Sequence, residues 1–358
     1  MRLLDVTLRE AEQRPGVAYS VEQKAAAARE LDALGVDRVQ IGFPVADDRT
    51  RRVVDRVDLT AKTTGIARAI AGDVDAAVEA GVDVVDLFAP TSDRQLDAVV
   101  GMSREEMTAS VVAAADRARD HGVGVRFSAM DGFRTDPAAL DALFAAVDAA
   151  SYTLADTVGA RTPAGVVDHL DALATDPSRL GVHFHDDLGV ATANALAAAG
   201  LGVEWADVSV AGLGERAGNV PIEEFVAAAD VGEESVELDV ARDRLLPTTR
   251  GVLAALDEDV DAAKPLLGAA AFTHESGLHT AAMLKDPATF EPFDPDRFGG
   301  SRRLVFGDAT GRGAARKLLE RAGRDPTAER VDRLLDRLSS VDGELSLDAA
   351  VAAADDVA

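Results

Sequence analysis

Cysteine is absent from this chain of 358 residues. The protein can therefore form no disulfide, no thiolate zinc site and no cysteine nucleophile. Long apolar runs are absent as well, because none approaches the roughly 18 residues that a membrane-spanning helix needs. The first residues, MRLLDVTLRE, contain no apolar signal core. We therefore expect a cytoplasmic protein that does not bind a membrane.

Positive charge is scarce. The chain has 37 basic against 63 acidic residues, for a net charge of −26, and only 5 of its basic residues are lysines. Such a surface repels nucleic acid and anionic membranes, so neither is an expected partner. The acidic residues are spread along the helical segments, which indicates solvated faces. We expect a halophilic protein, because concentrated salt screens its self-repulsion.

Short apolar runs alternate with alanine-rich segments over residues 1–230. The runs predict eight strands, at residues 3–8, 38–43, 63–68, 84–89, 124–129, 152–156, 181–186 and 206–210. Helix-start signals lie at Ser20, Ser103, Asp136-Pro137, Thr162-Pro163 and Pro221. Eight strand–helix units predict an α/β fold, a (β/α)8 TIM barrel. An open doubly wound sheet is the alternative, but it needs a glycine-rich loop where this chain has REAE at residues 9–12.

The segment VHFHDDLG, residues 182–189, places His183 and His185 two positions apart in a predicted strand. Side chains at i and i+2 point to one side of a strand, so the two imidazoles can bind one metal ion. Two histidines on the solvated side of an edge strand are the alternative. The apolar neighbours Leu180, Val182 and Phe184 favour a strand that is buried on both faces, where histidines need partners.

In a closed barrel the seventh, eighth and first strands are neighbours, so the groups at their C-terminal ends meet on the catalytic face. The first strand leads into DVTLRE at residues 5–10, and the eighth leads into GLGERAGN at residues 212–219. One carboxylate, two imidazoles and an amide oxygen predict an open divalent-metal site. Arg9 supplies positive charge where an enolate or alkoxide oxygen develops. A surface salt bridge between Arg9 and Glu10 is the alternative.

Six motifs in order carry a resemblance to a known family: DVTLREAEQ, IGFP, DTVG with TP, HFHDDLG, GLGERAGN and HESGLH. Over nearly the whole chain they resemble the acyl-transferring branch of the DRE-TIM metallolyases, which comprises the isopropylmalate, homocitrate and citramalate synthases. The resemblance implies a short form without the leucine regulatory domain. The carbon–carbon lyase branch of the superfamily uses a loop cysteine, which this chain lacks.

The resemblance implies a metal site and an electrophilic arginine. Glu10, His183 and His185 are similar to the family's ligands of one divalent ion (Mg, Mn or Zn), and Asn219 is similar to a further ligand or a holder of bound water. Arg9 resembles the group that polarises the 2-oxo acid. Glutamate at position 10, where many isopropylmalate synthases have aspartate, is similar to homocitrate synthases.

The resemblance also implies residues for substrate binding and proton transfer. Thr157, Arg134 and Gln13 match positions that bind the substrate. His279 resembles the acid/base histidine that helps to remove a methyl proton from acetyl-CoA, with His274 and Glu275 in support. The implied reaction joins acetyl-CoA to a 2-oxo acid and releases CoA and a 2-hydroxy dicarboxylic acid. The implied assembly is a homodimer with exchanged C-terminal regions.

Three residues depart from the family pattern. Met130 stands where the family has an acidic residue, Gln40 where it has glutamate, and Gln95 where many members have histidine. Because a thioether cannot move a proton, a related metal-dependent aldolase or lyase without CoA is a second hypothesis, and a paralogue that binds or regulates is a third. Plain packing of Met130 at the barrel rim is the structural alternative. The joint presence of Arg9, the metal set and His279 favours an enzyme.

The chain beyond the barrel is too short for a second large domain. We expect a helical subdomain at residues 231–290, which bears the HESGLH motif, and a second small subdomain at residues 291–358. Together with the barrel they give an α/β protein that ends in a mostly helical C-terminal region.

Overall fold

Eight parallel strands close into a barrel in the computed structural model, which describes residues 1–232 and 236–357. The strands are β1 (Arg2–Asp5), β2 (Arg38–Gly42), β3 (Lys62–Arg68), β4 (Val84–Pro90), β5 (Gly124–Met130), β6 (Tyr152–Asp156), β7 (Leu180–Phe184) and β8 (Trp205–Val208). They pair in chain order, and β8 closes the barrel by pairing with β1. The predicted (β/α)8 barrel is confirmed.

Helices alternate with these strands. They are α1 (Val21–Leu34), α2 (Arg49–Val54), α3 (Ala71–Glu79), α4 (Arg104–Asp120), α5 (Pro137–Ala146), α6 (Pro163–Asp171), α7 (Ala191–Gly200), α8 (Ile222–Val231) and α9 (Leu245–Leu256). The start signals act as predicted, because the Ser20 and Ser103 side chains accept hydrogen bonds in capping boxes and Pro137 and Pro163 open their helices. α9 packs against α1.

Every residue of β2, β6 and β7 is buried. Helices cover the outer face of a parallel barrel and side chains fill its interior, so the strands present no solvated side. The prediction that the histidine-bearing strand is buried on both faces is therefore confirmed. Its alternative, an edge strand, is excluded by the pairing of β7 with both β6 and β8.

Three predicted strands, the first, the seventh and the eighth, are too long by two or more residues at their C-terminal ends, and the eighth ends at Val208. The first ends at Asp5, because the Asp5 carboxylate accepts hydrogen bonds from the backbone N–H and the hydroxyl of Thr7 at 2.9 and 3.0 Å and turns the chain into a single helical turn, Thr7–Glu10. The seventh ends at Phe184, and His185 instead forms an isolated antiparallel bridge with Asn219.

The chain forms two compact units, Met1–Asp259 and Val260–Ala358. In the second, β9 (Thr273–His274), β10 (Arg303–Phe306) and β11 (Leu345–Ser346) form a sheet of order β11-β10-β9. Its helices are α10 (Gly277–Met283), α11 (Arg312–Arg321), α12 (Ala328–Ser339) and α13 (Leu347–Asp355). Phe306, Leu318 and Leu334 lie in the buried core of this unit. The division at residues 230 and 290 stays a prediction.

None of the helices within residues 1–232 and 236–357 combines the length and the apolar character that crossing a bilayer requires.

Candidate active site

The helical turn Thr7–Glu10 places Arg9 and Glu10 at the C-terminal end of β1. The turn is fixed from two sides: Asp5 accepts from Thr7, and the Thr7 hydroxyl accepts from the Val210 backbone N–H of the strand β8 exit at 2.8 Å. Burial raises the pKa of Asp5 to about 7, although both hydrogen bonds from Thr7 oppose the rise. The buried anchor is therefore an internal hydrogen-bonding group and not a surface charge.

Glu10, His183 and His185 offer one ligand atom each, and these three atoms lie within 4.8 Å of one another. The three side chains are buried. Both ring nitrogens of His185 and the Asn219 Oδ1 lack a well-formed hydrogen bond to the described residues, although the Glu215 carboxylate lies 3.9 Å from His185 Nε2 and the ring also interacts with the Asp156 backbone. Buried polar atoms seldom remain without a partner, so this donor set fits a divalent cation.

The electrostatics of the cluster favour the protonation states that bind a cation. Burial, together with the neighbouring His183, lowers the pKa of His185 to about 4, so the imidazole is neutral at pH 7. Burial alone would raise the pKa of Glu10, but attraction to Arg9, His183 and His185 holds it below its usual value. A neutral imidazole and an ionised carboxylate are the forms that ligate metal ions.

Asn219 reaches the cluster through the GLGERAGN loop. Its side-chain nitrogen lies 3.3 Å from His183 Nε2 and donates to the Phe184 carbonyl at 3.2 Å, which leaves Oδ1 as the unpartnered atom. A Cβ at Gly214 would overlap Asn219 Oδ1, so the loop can pack against this amide only with glycine there.

Arg9 is held on three sides. It forms an ion pair with Glu10, and its Nε donates to Gln40 Oε1 at 2.6 Å. With its amide oriented to match its neighbours, Gln13 accepts from Arg9 at 2.6 Å and donates to Glu10 at 3.3 Å. The guanidinium is thus fixed beside the cluster, and Gln13 contacts both Arg9 and Glu10.

A chain of buried polar groups connects Arg9 to His183 beneath the cluster. Gln40 Nε2 donates to Asp86 at 2.9 Å, and Arg126 donates to Asp86 at 2.7 Å and to Asp207 at 2.6 Å. The other oxygen of Asp207 lies 3.1 Å from His183 Nδ1. The Arg126 side chain is fully buried, and the carboxylates of Asp86 and Asp207 compensate its charge.

None of the sequence motifs includes Asp86, Arg126 or Asp207. A signal for them exists, because each is a charged residue inside an otherwise apolar strand: VVDLFAP in β4, GVRFSAM in β5 and WADV in β8. A buried parallel strand carries a charge only where a partner satisfies it. The sequence does not show which of these charged residues contact one another.

Two of the three predicted substrate-binding residues line the cavity, and the third does not. Thr157 lines the same cavity as the cluster, and its hydroxyl accepts from the Asp131 backbone N–H at 2.8 Å. Gln13 also lines that cavity. Arg134 instead forms an ion pair with Asp131 at 2.6 Å and does not belong to the cavity lining. Its predicted contact with substrate stays a prediction.

His274, Glu275 and His279 belong to the second compact unit. His274 lies in β9 and His279 in α10, and their ring centroids are 6.5 Å apart. The His279 ring stacks on Phe290 with a centroid distance of 3.9 Å. His274 and His279 therefore lie near each other, and the support of His279 by His274 and Glu275 stays a prediction.

The three departures from the family pattern have different surroundings. Met130 ends β5 and lines the cavity beside the cluster. Gln40 bridges Arg9 and Asp86. Gln95 lies in a helical turn, Asp93–Gln95, and its side-chain oxygen is buried without a hydrogen-bond partner among the described residues.

The cavity has a volume of about 170 Å³. One side carries Arg9, the candidate metal ligands and Asp207, from β1, β7, β8 and their exits. The contiguous strands β3 to β6 contribute the apolar Ile66, Phe88, Met130 and Ala155, together with the polar Asp86 and Ser128.

Fold and site together define a TIM-barrel protein with a candidate divalent-metal site at the C-terminal ends of its strands. Residues 1–250 match the family described as HMGL-like, and residues 266–344 match the family described as Homocitrate synthase post-HMGL domain-like. The chain belongs to the HMGL-like family, in the branch of the isopropylmalate, homocitrate and citramalate synthases.

Two relatives from Methanopyrus kandleri illustrate the match. The chain is 40% identical over 354 residues to a "Probable 2-isopropylmalate synthase", with 95% of this chain and 70% of the relative covered. It is 39% identical over 348 residues to "Homocitrate synthase AksA", with 94% of this chain and 86% of the relative covered. Since the two relatives have different names at nearly equal identity, overall similarity does not decide the substrate.

Among solved structures, hydroxymethylglutaryl-CoA lyase from Pseudomonas aeruginosa matches with a TM-score of 0.64 and 24% identity, covering 72% of this chain and 93% of that one. This likeness supports the barrel fold alone.

Proposed function

We propose that this protein is an acyltransferase that condenses acetyl-CoA with a 2-oxo acid to give CoA and a 2-hydroxy acid that carries one carboxylate more than the oxo acid. The observation that carries the proposal is the convergence of Arg9 with the buried cluster of Glu10, His183 and His185 in one cavity. Relatives named as isopropylmalate and homocitrate synthases support it.

Glu10, His183 and His185 would hold the divalent ion, and Asn219 Oδ1 is the available fourth donor. When bound, the ion supplies Lewis-acid polarisation of the ketone of the 2-oxo acid. Three protein ligands of this kind leave positions for substrate, as an open site requires.

The remaining steps belong to the chain's own residues. The Arg9 guanidinium stabilises the negative charge that develops on the ketone oxygen when the new carbon–carbon bond forms, because Gln40 and Gln13 hold it in place. The Thr157 hydroxyl orients the substrate carboxylate at the cavity wall. The methyl carbon of acetyl-CoA loses a proton to His279, attacks the carbonyl carbon, and the ketone oxygen takes up a proton. Water then cleaves the thioester and releases CoA.

The assignment of His279, rather than His274, follows the resemblance to the synthase family, and the positions of the other four histidines support it. His183 and His185 belong to the cluster, His121 ends α4, and His169 packs against Phe133 at 5.3 Å between ring centroids. As part of the proposal, the active form is a homodimer in which His279 of one subunit serves the cluster of the other. Mixing inactive Glu10→Ala subunits with inactive His279→Ala subunits should then restore partial activity. No recovery after verified subunit exchange would contradict the homodimer assignment.

The proposal is tested by CoA release from acetyl-CoA with a panel of 2-oxo acids in molar KCl. We expect release that depends on both substrates and on added Mg²⁺, Mn²⁺ or Zn²⁺, and that is lost in Glu10→Gln. The exposed Glu22→Gln is the matched control, because it removes the same charge outside the site. Cleavage or aldol products formed without acetyl-CoA would instead support the metal-dependent aldolase or lyase, for which Met130 is the specific observation.

A further inference from the structure

A second cavity lies next to the active-site cavity and shares part of its lining. Phe88 and Met130 line both, and the second has a volume of about 180 Å³. Its other lining is mainly aliphatic and includes Ile70, Val99 and Met102. A partition of one aromatic ring and one methionine therefore separates the cluster from an apolar space within the same barrel unit.

Met130 is the movable part of this partition. A methionine side chain is unbranched and has three rotatable bonds, so it adapts to what packs against it. Phe88 is constrained, since its ring makes an edge contact with Phe43 at 6.1 Å between centroids. The acidic residue that the family pattern has at position 130 would place a carboxylate in this partition, and this chain has replaced it with an apolar group of adaptable shape.

Three arginines near the two cavities already form ion pairs or hydrogen bonds with other residues of the protein. Arg9 pairs with Glu10, and Arg68 donates to Asp73 at 2.7 and 2.9 Å. Arg126, beneath the cavity, has its donors on Asp86, Asp207 and Thr153.

Among the described lining residues, every arginine or lysine already has an ion-pair partner, so none is available to pair with a second carboxylate on the substrate. In addition, four carboxylates line the active-site cavity itself: Glu10, Asp86, Asp207 and Glu215. Burying an unpaired carboxylate is strongly unfavourable.

We propose that the protein selects monocarboxylic 2-oxo acids with an aliphatic side chain, which lies against Phe88 and Met130, and that Met130 limits the length of that chain. The inference rests on the proposed function and names the substrate class for the same site. The oxo-acid end faces the residues from β7, β8 and β1, and the aliphatic end faces Phe88 and Met130, beyond which the second cavity lies.

The first test compares 2-oxoglutarate with 5-methyl-2-oxohexanoate, in which an isopropyl group replaces the distal carboxylate at the same position. We expect kcat/KM for CoA release to be about tenfold or more higher for the apolar acid, the discrimination that one misplaced group in a pocket produces. A preference for 2-oxoglutarate would overturn the inference.

The second test removes the partition. Met130→Ala should raise kcat/KM for 2-oxooctanoate relative to 2-oxobutanoate by about tenfold or more, because the two cavities join and accept several more methylenes. Met102→Ala is the matched control, since it enlarges the same second cavity and leaves Met130 in place. Equal chain-length profiles for the two variants would contradict a limiting role for Met130.

A binding measurement separates this inference from the proposed function. The shift of the thermal unfolding midpoint by each acid, measured with Mn²⁺ and without acetyl-CoA, should rank the acids in the same order as kcat/KM. If no acid supports CoA release, the proposed function fails and the binding order still tests the selectivity. If CoA is released but the binding order favours 2-oxoglutarate, the selectivity alone fails.

Discussion

The Nδ1 atom of His183 lies 3.1 Å from Oδ2 of Asp207, whose other oxygen accepts from Arg126 at 2.6 Å. A carboxylate on one ring nitrogen fixes the tautomer of a histidine and leaves the lone pair of the other nitrogen free for a metal. Asp207 thus orients a residue of the metal cluster without belonging to it. The position of Arg126 keeps Asp207 in its ionised form, because attraction to Arg126 and His183 together outweighs burial and lowers the pKa of Asp207.

Asp207→Asn should weaken divalent-metal binding by about 10- to 100-fold, the range for outer ligand partners. An asparagine NH₂ donates to Nδ1, which moves the ring proton to the nitrogen that faces Glu10. The measurement is a Co²⁺ or Mn²⁺ titration. Asp86→Asn is the control, since Asp86 also pairs with Arg126 but does not contact His183. Equal metal affinities of the two variants would remove Asp207 from this role.

His185→Ala should lower metal content and activity together, because two remaining protein ligands hold a divalent ion poorly. Wild type should contain one ion per barrel by elemental analysis after dialysis. The double variant Glu10→Ala/His185→Ala should contain almost none. An undiminished ion in the double variant would show that the metal binds elsewhere.

Gln40→Glu should lower activity and stability although it restores the residue of the family pattern. Gln40 accepts from Arg9 and donates to Asp86, which an amide can do at once and an ionised carboxylate cannot. A glutamate would set two carboxylates at about the present 2.9 Å separation. We expect a loss of about 1–3 kcal/mol in the free energy of unfolding, the cost of a buried group left unsatisfied.

The reciprocal exchange checks the cause of that loss. Adding Asp86→Asn to Gln40→Glu returns one amide and one carboxylate to the contact, so stability and the KM for the 2-oxo acid should partly recover. Urea unfolding and steady-state kinetics measure the two. A single variant Gln40→Glu that matches wild type in both would contradict the bridging role of the amide.

Stability should fall with rising pH because of Asp5. Its folded pKa of about 7 lies above that of an unfolded aspartate, near 3.9, so the folded state binds a proton that the unfolded state releases. The contribution is complete below about pH 4 and is lost as pH rises to about 7, at up to about 1.4 kcal/mol per pH unit.

Asp5→Asn should remove this dependence. The difference in unfolding free energy between Asp5→Asn and wild type should grow in favour of the variant from pH 4 to pH 7 and then level off. The exposed Asp120→Asn controls for the loss of one negative charge. A difference that stays constant over this range would show that Asp5 does not titrate with folding.

The alternation of apolar runs and capped helices was sufficient to predict the barrel and its strand order, since parallel strands with crossover helices have few other arrangements. The same sequence placed Glu10, His183 and His185 on neighbouring strand ends, because the barrel closes between β8 and β1. The periodicity predicted the end of β1 wrongly, because the Asp5 side chain accepts a hydrogen bond from the Thr7 backbone N–H and ends the strand there.

Only the tertiary structure determines which charged residues contact one another inside the barrel. Arg126 contacts Asp86 and Asp207 across 40 and 81 residues of sequence, and no local pattern encodes which interior charge pairs with which. The partition at Phe88 and Met130 is likewise a product of packing, because β4 and β5 lie in register only when the sheet is formed. Residue types and periodicity determine the elements and the chemistry that is available, and burial in three dimensions determines which polar groups must satisfy one another.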